Sequence, residues 1–280
     1  MSVLDAVLKQ YEKNKQSASG NTNKVSQEER LKKYFTTVLP KGVTTMEKRI
    51  RLLPPKDDGT PFVESRFHEL QVDGNWVKLY DPAFEGKRSP LNEVYDELKA
   101  STDPEDVKLA SNYYSRKFYI VKLIDRDKEQ DGVKFWRFKH NTKGEGVFDK
   151  IQPIFKNKGD ITDPEKGRDL ILTLTLTKSG KNKEYTVVSS VIPDDVSPLH
   201  EDQNIVNEWV NDPLTWTDVY SKKPEEYLTI VAEGKVPKWN MEEKKWVSSE
   251  DAKTGEVTFV GTSNVVDPQE DDEPNDDLPF

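Results

Sequence analysis

The chain contains no cysteine, only three methionines and three histidines, and no long apolar run. Without cysteine there is no disulfide, no thiolate zinc site and no cysteine nucleophile, and a reducing compartment is compatible. No stretch approaches the roughly 20 apolar residues that a membrane span needs. The N-terminal MSVLDAVLKQYEKNK lacks the uninterrupted apolar centre of a signal peptide. The expectation is a soluble, cytoplasmic protein with no membrane partner. Hydrophobic residues make up 34% of the 280 and charged residues 33%, so the core should be modest and the loops polar. Enzyme signatures are missing as well: there is no GxxxxGK, GxGxxG or GxSxG. His68, His140 and His200 stand far apart without metal-ligand spacing, and the Asp125/Asp127 pair sits in a loop charged enough to be solvated. Neither catalysis nor a metal or other cofactor is expected.

What is there is charge, unevenly placed. The formal net charge is -9, which alone argues against a nucleic-acid partner. Yet Asp194 to Phe280 holds 22 acids against 7 Lys/Arg, whereas Met1 to Lys56 holds 12 Lys/Arg against 5 acids, and Lys108 to Lys158 holds 13 against 6. A basic body with an acidic end points to a polyanion binder.

Val3, Leu4, Val7, Leu8 and Tyr11 fall at helical spacing, which predicts an amphipathic helix near residues 2–15, followed by the polar linker QSASGNTNKVSQ. KRIRLLPP, FVESRFHEL and NWVKLYDP read as strands, the last two joined around Asp73-Gly74. SPLNEVYDELKASTDPEDVKLASNYY is mainly helical, with a restart at Asp103-Pro104. KFYIVKLID and VKFWRFKH are strands across the loop RDKEQDG, and FDKIQPIF is a short helix or turn. LILTLTLT alternates leucine with threonine as a half-buried strand does, and KSGKNK hands it to EYTVVSSVIP. Residues 201–233 are helical, with hairpin fragments around Trp239, Trp246 and Phe259. Many short strands with helical insertions predict a mainly β fold, a small barrel with helices attached. The domains expected are 1–45 (helix and linker), 46–237 (binding core), 238–265 (linker or small hairpin) and 266–280 (disordered acidic tail).

Aromatic and basic residues interleave in NYYSRKFYIVK and KFWRFKH. Binding single strands needs both: cations neutralise phosphates, and exposed rings stack on unpaired bases for about 1–3 kcal/mol each. Neighbours on a strand point to opposite faces, so Phe135-Trp136-Arg137-Phe138 cannot all enter one core. Either some rings are exposed for stacking, or helices cover them as a second core.

RIRLLPPKDDGTPFV, YYSRKFYIVKLID, GVKFWRFKHNTKGEGVFDKI and EYTVVSSVIPDD, in that order, carry a resemblance. From about Met46 to Gly234 the chain resembles the single-stranded DNA-binding (helix-destabilising) proteins of T-even-type bacteriophages. That resemblance implies an OB-fold core, a five-stranded Greek-key barrel, that coats single-stranded DNA without sequence specificity in replication, recombination and repair. If phage-encoded, the protein would work in the bacterial host cytoplasm and associate with itself along DNA. It implies a groove lined by Arg49, Arg51 and Lys56; by Tyr113, Tyr114, Arg116, Lys117 and Lys122; and by Trp136, Arg137, Phe138, Lys139 and Lys143. The alternative is a protein-interaction adaptor or recombination mediator without strong DNA binding.

Three features depart from that family, one of them an apolar-plus-lysine N-terminal helix with Lys9, Lys13 and Lys15 where the family has a short basic arm that docks on the next protomer and gives cooperative filaments. The family's zinc ribbon needs cysteines; His68 falls where its histidine would be, but no cysteine follows, so apolar packing by Trp76, Tyr80 and Phe84 is expected instead. The terminal DDLPF resembles the tip of bacterial single-stranded DNA-binding proteins, which inserts its last Pro-Phe into partner enzymes. Asp276, Asp277, Leu278, Pro279 and Phe280 would thus recruit replication and repair proteins.

Overall fold

The computed structural model describes residues 32–56, 59–142, 144–178, 184–241 and 243–249. The helix expected near residues 2–15, its linker, Lys143, the segment around Phe259 and the acidic tail lie outside the described residues. Seven strands form one antiparallel sheet: β1 (Thr45–Leu52), β2 (Val63–Val72), β3 (Asn75–Tyr80), β4 (Ser115–Asp125), β5 (Val133–Lys139), β6 (Arg168–Lys178) and β7 (Glu184–Val196). Their order is β3-β2-β4-β1-β6-β7, with β5 on β4. A short hairpin, β8 (Pro237–Asn240) and β9 (Lys245–Ser248), stands apart. The helices are α1 (Pro90–Ala100), α2 (Pro104–Leu109), α3 (Val147–Lys158), α4 (Gln203–Val210), α5 (Trp216–Val219) and α6 (Glu225–Ala232). Asp103 caps α2 by accepting from the Glu105 amide at 2.9 Å, with Pro104 in the first turn, so the predicted restart has its physical cause in the sequence.

β4 is the hub. Ile120 pairs with Val63 on one edge and Arg137 on the other, while Ile124 pairs with Arg51 and Val133. Strands β2 and β1 therefore share one edge of β4 in succession, and β5 occupies the other. The extended segment before β1 continues from β5: the Phe35 amide donates to the Phe135 carbonyl at 2.9 Å, and the Leu39 amide to Thr186 Oγ1 of β7 at 3.3 Å. It thereby spans the gap between β5 and β7. Inside lie Phe35, Ile50, Leu52, Val121, Leu123, Trp136 and the β6 leucines, with α3 contributing Ile151 and Ile154. Leu170, Leu172 and Leu174 are fully buried while Thr173, Thr175 and Thr177 are half-buried, the alternation that the sequence predicts.

The outer face carries a second core. Phe67, Phe118, Ile120 and Phe135 of β2, β4 and β5 are covered by Leu214, Trp216, Val219 and Tyr220, from α5 and its flanks. A third cluster joins Leu70, Val77 and Leu79 to Leu91, Tyr113, Tyr227, Leu228 and Val231, with Trp246 of the hairpin against it. This corrects the packing expected for the zinc-less subdomain. Trp76 and Phe84 are 40% and 46% exposed, and Tyr80 belongs to the second core. Aliphatic residues of β2, β3, α1 and α6 fill the space instead. His68 is fully buried there; its Nδ1 lies 2.8 Å from the Tyr113 carbonyl and its Nε2 3.6 Å from Asp81 Oδ1. Both ring nitrogens thus face protein groups.

Asp81 ties this region together: it caps the turn at Pro82–Glu85 through the Ala83 amide and accepts from Asn92. Burial works to raise its carboxyl, but hydrogen bonds from His68, Ser115 and Ser89 outweigh it and hold the group far below the usual carboxylate range. Such a depressed group stabilises the fold above its unfolded value of about 3.9, and that stability is lost as pH falls towards the folded value. Denaturant midpoints of wild type and Asp81→Asn should differ most near neutrality and converge as the pH drops below about 4. A gap independent of pH would contradict this.

Gly167 is pinned by crowding. A Cβ there would lie 2.4 Å from the Asp163 carbonyl oxygen, 2.5 Å from that of Ile161 and 2.6 Å from Arg51 Nη2. Gly167→Ala should cost about 1–3 kcal/mol in urea unfolding, as overpacking does.

Candidate nucleic-acid interface

Antiparallel partners point to the same side of a sheet, so the register sorts the outer face. Gln71 pairs with Trp76, Glu69 with Lys78, Phe67 with Tyr80 and Arg116, and Phe118 with Lys139. The segment around α5 covers half of this face. The other half is polar and ringed with cations. Glu69 Oε2 lies 3.4 Å from Arg116 and 3.3 Å from Lys139, and its Oε1 lies 3.8 Å from Lys78. Three strands thus each send one cation to a single carboxylate on β2. A groove of about 360 Å³ runs from Glu69, Lys78 and Lys139 past Phe138 to Lys150 on α3 and Ser189 on β7. Trp76 stands on the same sheet face, two residues from Lys78. The arrangement can neutralise phosphates and stack a base beside them.

A second aromatic station lies at the start of β4. Tyr114 is 46% exposed, with its ring 5.6 Å from that of Tyr95 on α1. Phe84 and Arg66 line the same hollow, and the Arg66 guanidinium is held by the Ser115 hydroxyl and carbonyl.

The structure separates the residues that the resemblance implies. Tyr114, Arg116 and Lys139 lie at these two places. Arg49 and Lys56 are exposed elsewhere, with Arg49 paired to Asp194 at 3.0 Å. Lys117 is half-exposed on the opposite face of β4; its hydrogen bond to Glu64 raises its pKa. Lys122 is lowered by burial, against the pull of Asp212, to which it bonds. Five residues are buried, although Trp136, Arg137 and Phe138 also form part of the wall of the groove. Trp136 (1% exposed) and Phe138 (6%) belong to the inner core, because even positions of β5 face inward. Tyr113 packs in the third cluster. Arg137 points outward but is buried under α5, its guanidinium 4.6 Å from the Phe67 ring and 4.4 Å from Tyr220. Arg51 shares the outward side of β1 with Arg49, yet the segments at 161–169 and 197–199 close over it. It bonds to Asp169, to Ser197 and to the Asp163 carbonyl.

Trp76, Lys78, Glu69, Arg66, Tyr95 and Phe84 are the residues that sequence reasoning missed. For two of them a signal exists: in NWVKLY, Trp76 and Lys78 alternate with the core residues Val77 and Leu79. Among the described residues no helix is long and apolar enough to cross a membrane, and no group of three or more His, Asp or Glu could hold a metal.

No curated protein matches the chain. A family model described as gp32 DNA binding protein like matches residues 45–229, from β1 through most of α6 and so across the whole cationic face. That match covers well over half of the chain and supports a DNA-binding role in a family of binding proteins rather than enzymes. With Trp76, Lys78, Arg116 and Lys139 all inside the matched segment, the chain belongs to the gp32-like DNA-binding family.

Proposed function

We propose that the protein coats single-stranded DNA without sequence specificity, in the service of replication, recombination and repair in a phage-infected cell. The observation that carries this reading is the polar half of the outer face, where Lys78, Arg116 and Lys139 gather at Glu69 and the exposed Trp76 ring shares the face of β3 with Lys78. A duplex hides the base faces that such a ring would stack on, so unpaired strands are the better ligand. The curled sheet closed by the segment before β1 supports an OB-type barrel as the scaffold. The acidic residues from Asp267 onward would compete with DNA as a tethered polyanion, and Leu278-Pro279-Phe280 would recruit partner proteins. The test is fluorescence anisotropy with labelled strands of mixed and homopolymer sequence, their duplexes and matched RNA. Tight, sequence-tolerant binding of single-stranded DNA that weakens steeply with salt supports the reading; equal or better binding of duplex contradicts it. Deleting Leu278 to Phe280 should abolish capture of partner proteins and leave the DNA affinity nearly unchanged.

A further inference from the structure

The Glu69 carboxylate occupies an unusual place on the interface. It is 4% exposed, yet it stands where the surrounding groups are cationic, and it is the shared counter-charge of Lys78, Arg116 and Lys139. Its distances to them, 3.3 to 3.8 Å, exceed the roughly 2.7–2.9 Å of a tight charge-assisted bond. By contrast, Lys117 sits 2.6 Å from Glu64 and Lys134 sits 2.8 Å from Asp131. The three cations are gathered around Glu69 from three different strands. Their side chains keep 12%, 18% and 21% exposure, so each reaches the surface at the rim of this site. A carboxylate and a backbone phosphate each offer two oxygens and one negative charge to such donors.

We infer that Glu69 is a built-in competitor for DNA phosphate: it pre-gathers the three cations, hands them over when a strand binds, and lowers the affinity so that the strand can be released. The inference rests on the proposed single-strand binding at this face and adds a regulator to it. Its sign is opposite to that of a structural ion pair. Replacing Glu69 by glutamine removes one negative charge from the seat and keeps the shape, so binding should tighten by roughly threefold to thirtyfold at low salt. The log–log salt dependence should steepen by about 0.7, one more phosphate neutralised on a single strand.

The experiment measures anisotropy of a labelled thymidine homopolymer against salt for wild type and Glu69→Gln, with thermal melting as a control on the fold. Tighter binding and a steeper slope are the expected result. Unchanged or weaker binding by folded Glu69→Gln overturns the inference. If Glu69→Gln does not fold, Lys139→Gln decides: a slope shallower by about 0.7 means that Lys139 passes to phosphate, whereas an unchanged slope means that it stays on Glu69 and overturns the inference. Wild type that fails to bind the homopolymer sinks the parent reading as well, a result distinct from either variant's.

Discussion

Arg51→Ala should lose about 3–5 kcal/mol of stability in urea unfolding, among the largest single-residue effects in the chain, while Arg49→Ala should lose little. The two arginines are two positions apart on β1 and point the same way, so the contrast isolates burial. Arg51 is 0% exposed and bonds to Asp169, to both oxygens of Ser197 and to the Asp163 carbonyl. Asp169 is also held by Arg126, which reaches the Leu199 carbonyl at 2.9 Å. Removing Arg51 leaves buried acceptors and half of a buried ion network uncompensated, which costs far more than a surface pair contributes. Burial pushes the Arg51 guanidinium down and Asp169 opposes that shift. If Arg51→Ala unfolds at nearly the wild-type midpoint, the segments around Asp163 and Ser197 do not depend on this strut.

The second large effect concerns binding. Trp76→Ala should weaken single-stranded DNA binding by about 1–3 kcal/mol, the range for one stacked base, and leave the salt slope unchanged because no charge is removed. Arg116→Ala together with Lys139→Ala should do the reverse, flattening the slope by roughly 0.7 for each phosphate that is no longer neutralised. Trp136→Phe should change the melting temperature and not the affinity, since that ring is 1% exposed and packs against Phe35 and Phe138. A pattern in which Trp136 governs affinity and Trp76 does not would move the interface to the other side of the sheet.

Much of this fold is legible in the sequence, for reasons that individual elements make plain. The Leu/Thr alternation of β6, the Asp73-Gly74 turn and the Asp103-Pro104 helix start are local signals, and each holds. Asp73 even adopts the left-handed conformation, at φ 52°, that the tight turn demands. The burial of β5 is not local. Period-two alternation says that Phe135 and Arg137 face away from Trp136 and Phe138. It does not say that residues 214–220, far along the chain, will fold over that outer face and make it a second core. Arg51 fails as a groove residue for the same reason, its cover coming from residues 161–169 and 197–199. Trp76 is the converse: its ring is left 40% exposed on the face of β3 that it shares with Lys78. Interleaved aromatic and basic residues mark β4 and β5 of the sheet, while long-range cover decides which of their side chains remain at the surface.

Stacking of unpaired bases on the outer face of β2, β3, β4 and β5 would be read out by intrinsic tryptophan fluorescence. Wild type and Trp76→Phe would be titrated with a single-stranded oligonucleotide and with a duplex of equal length. Strong quenching of wild type by the single strand, little by the duplex, and loss of most of that quenching in Trp76→Phe are the expected results. Equal quenching of wild type and Trp76→Phe would contradict this stacking and place the bases against a different tryptophan.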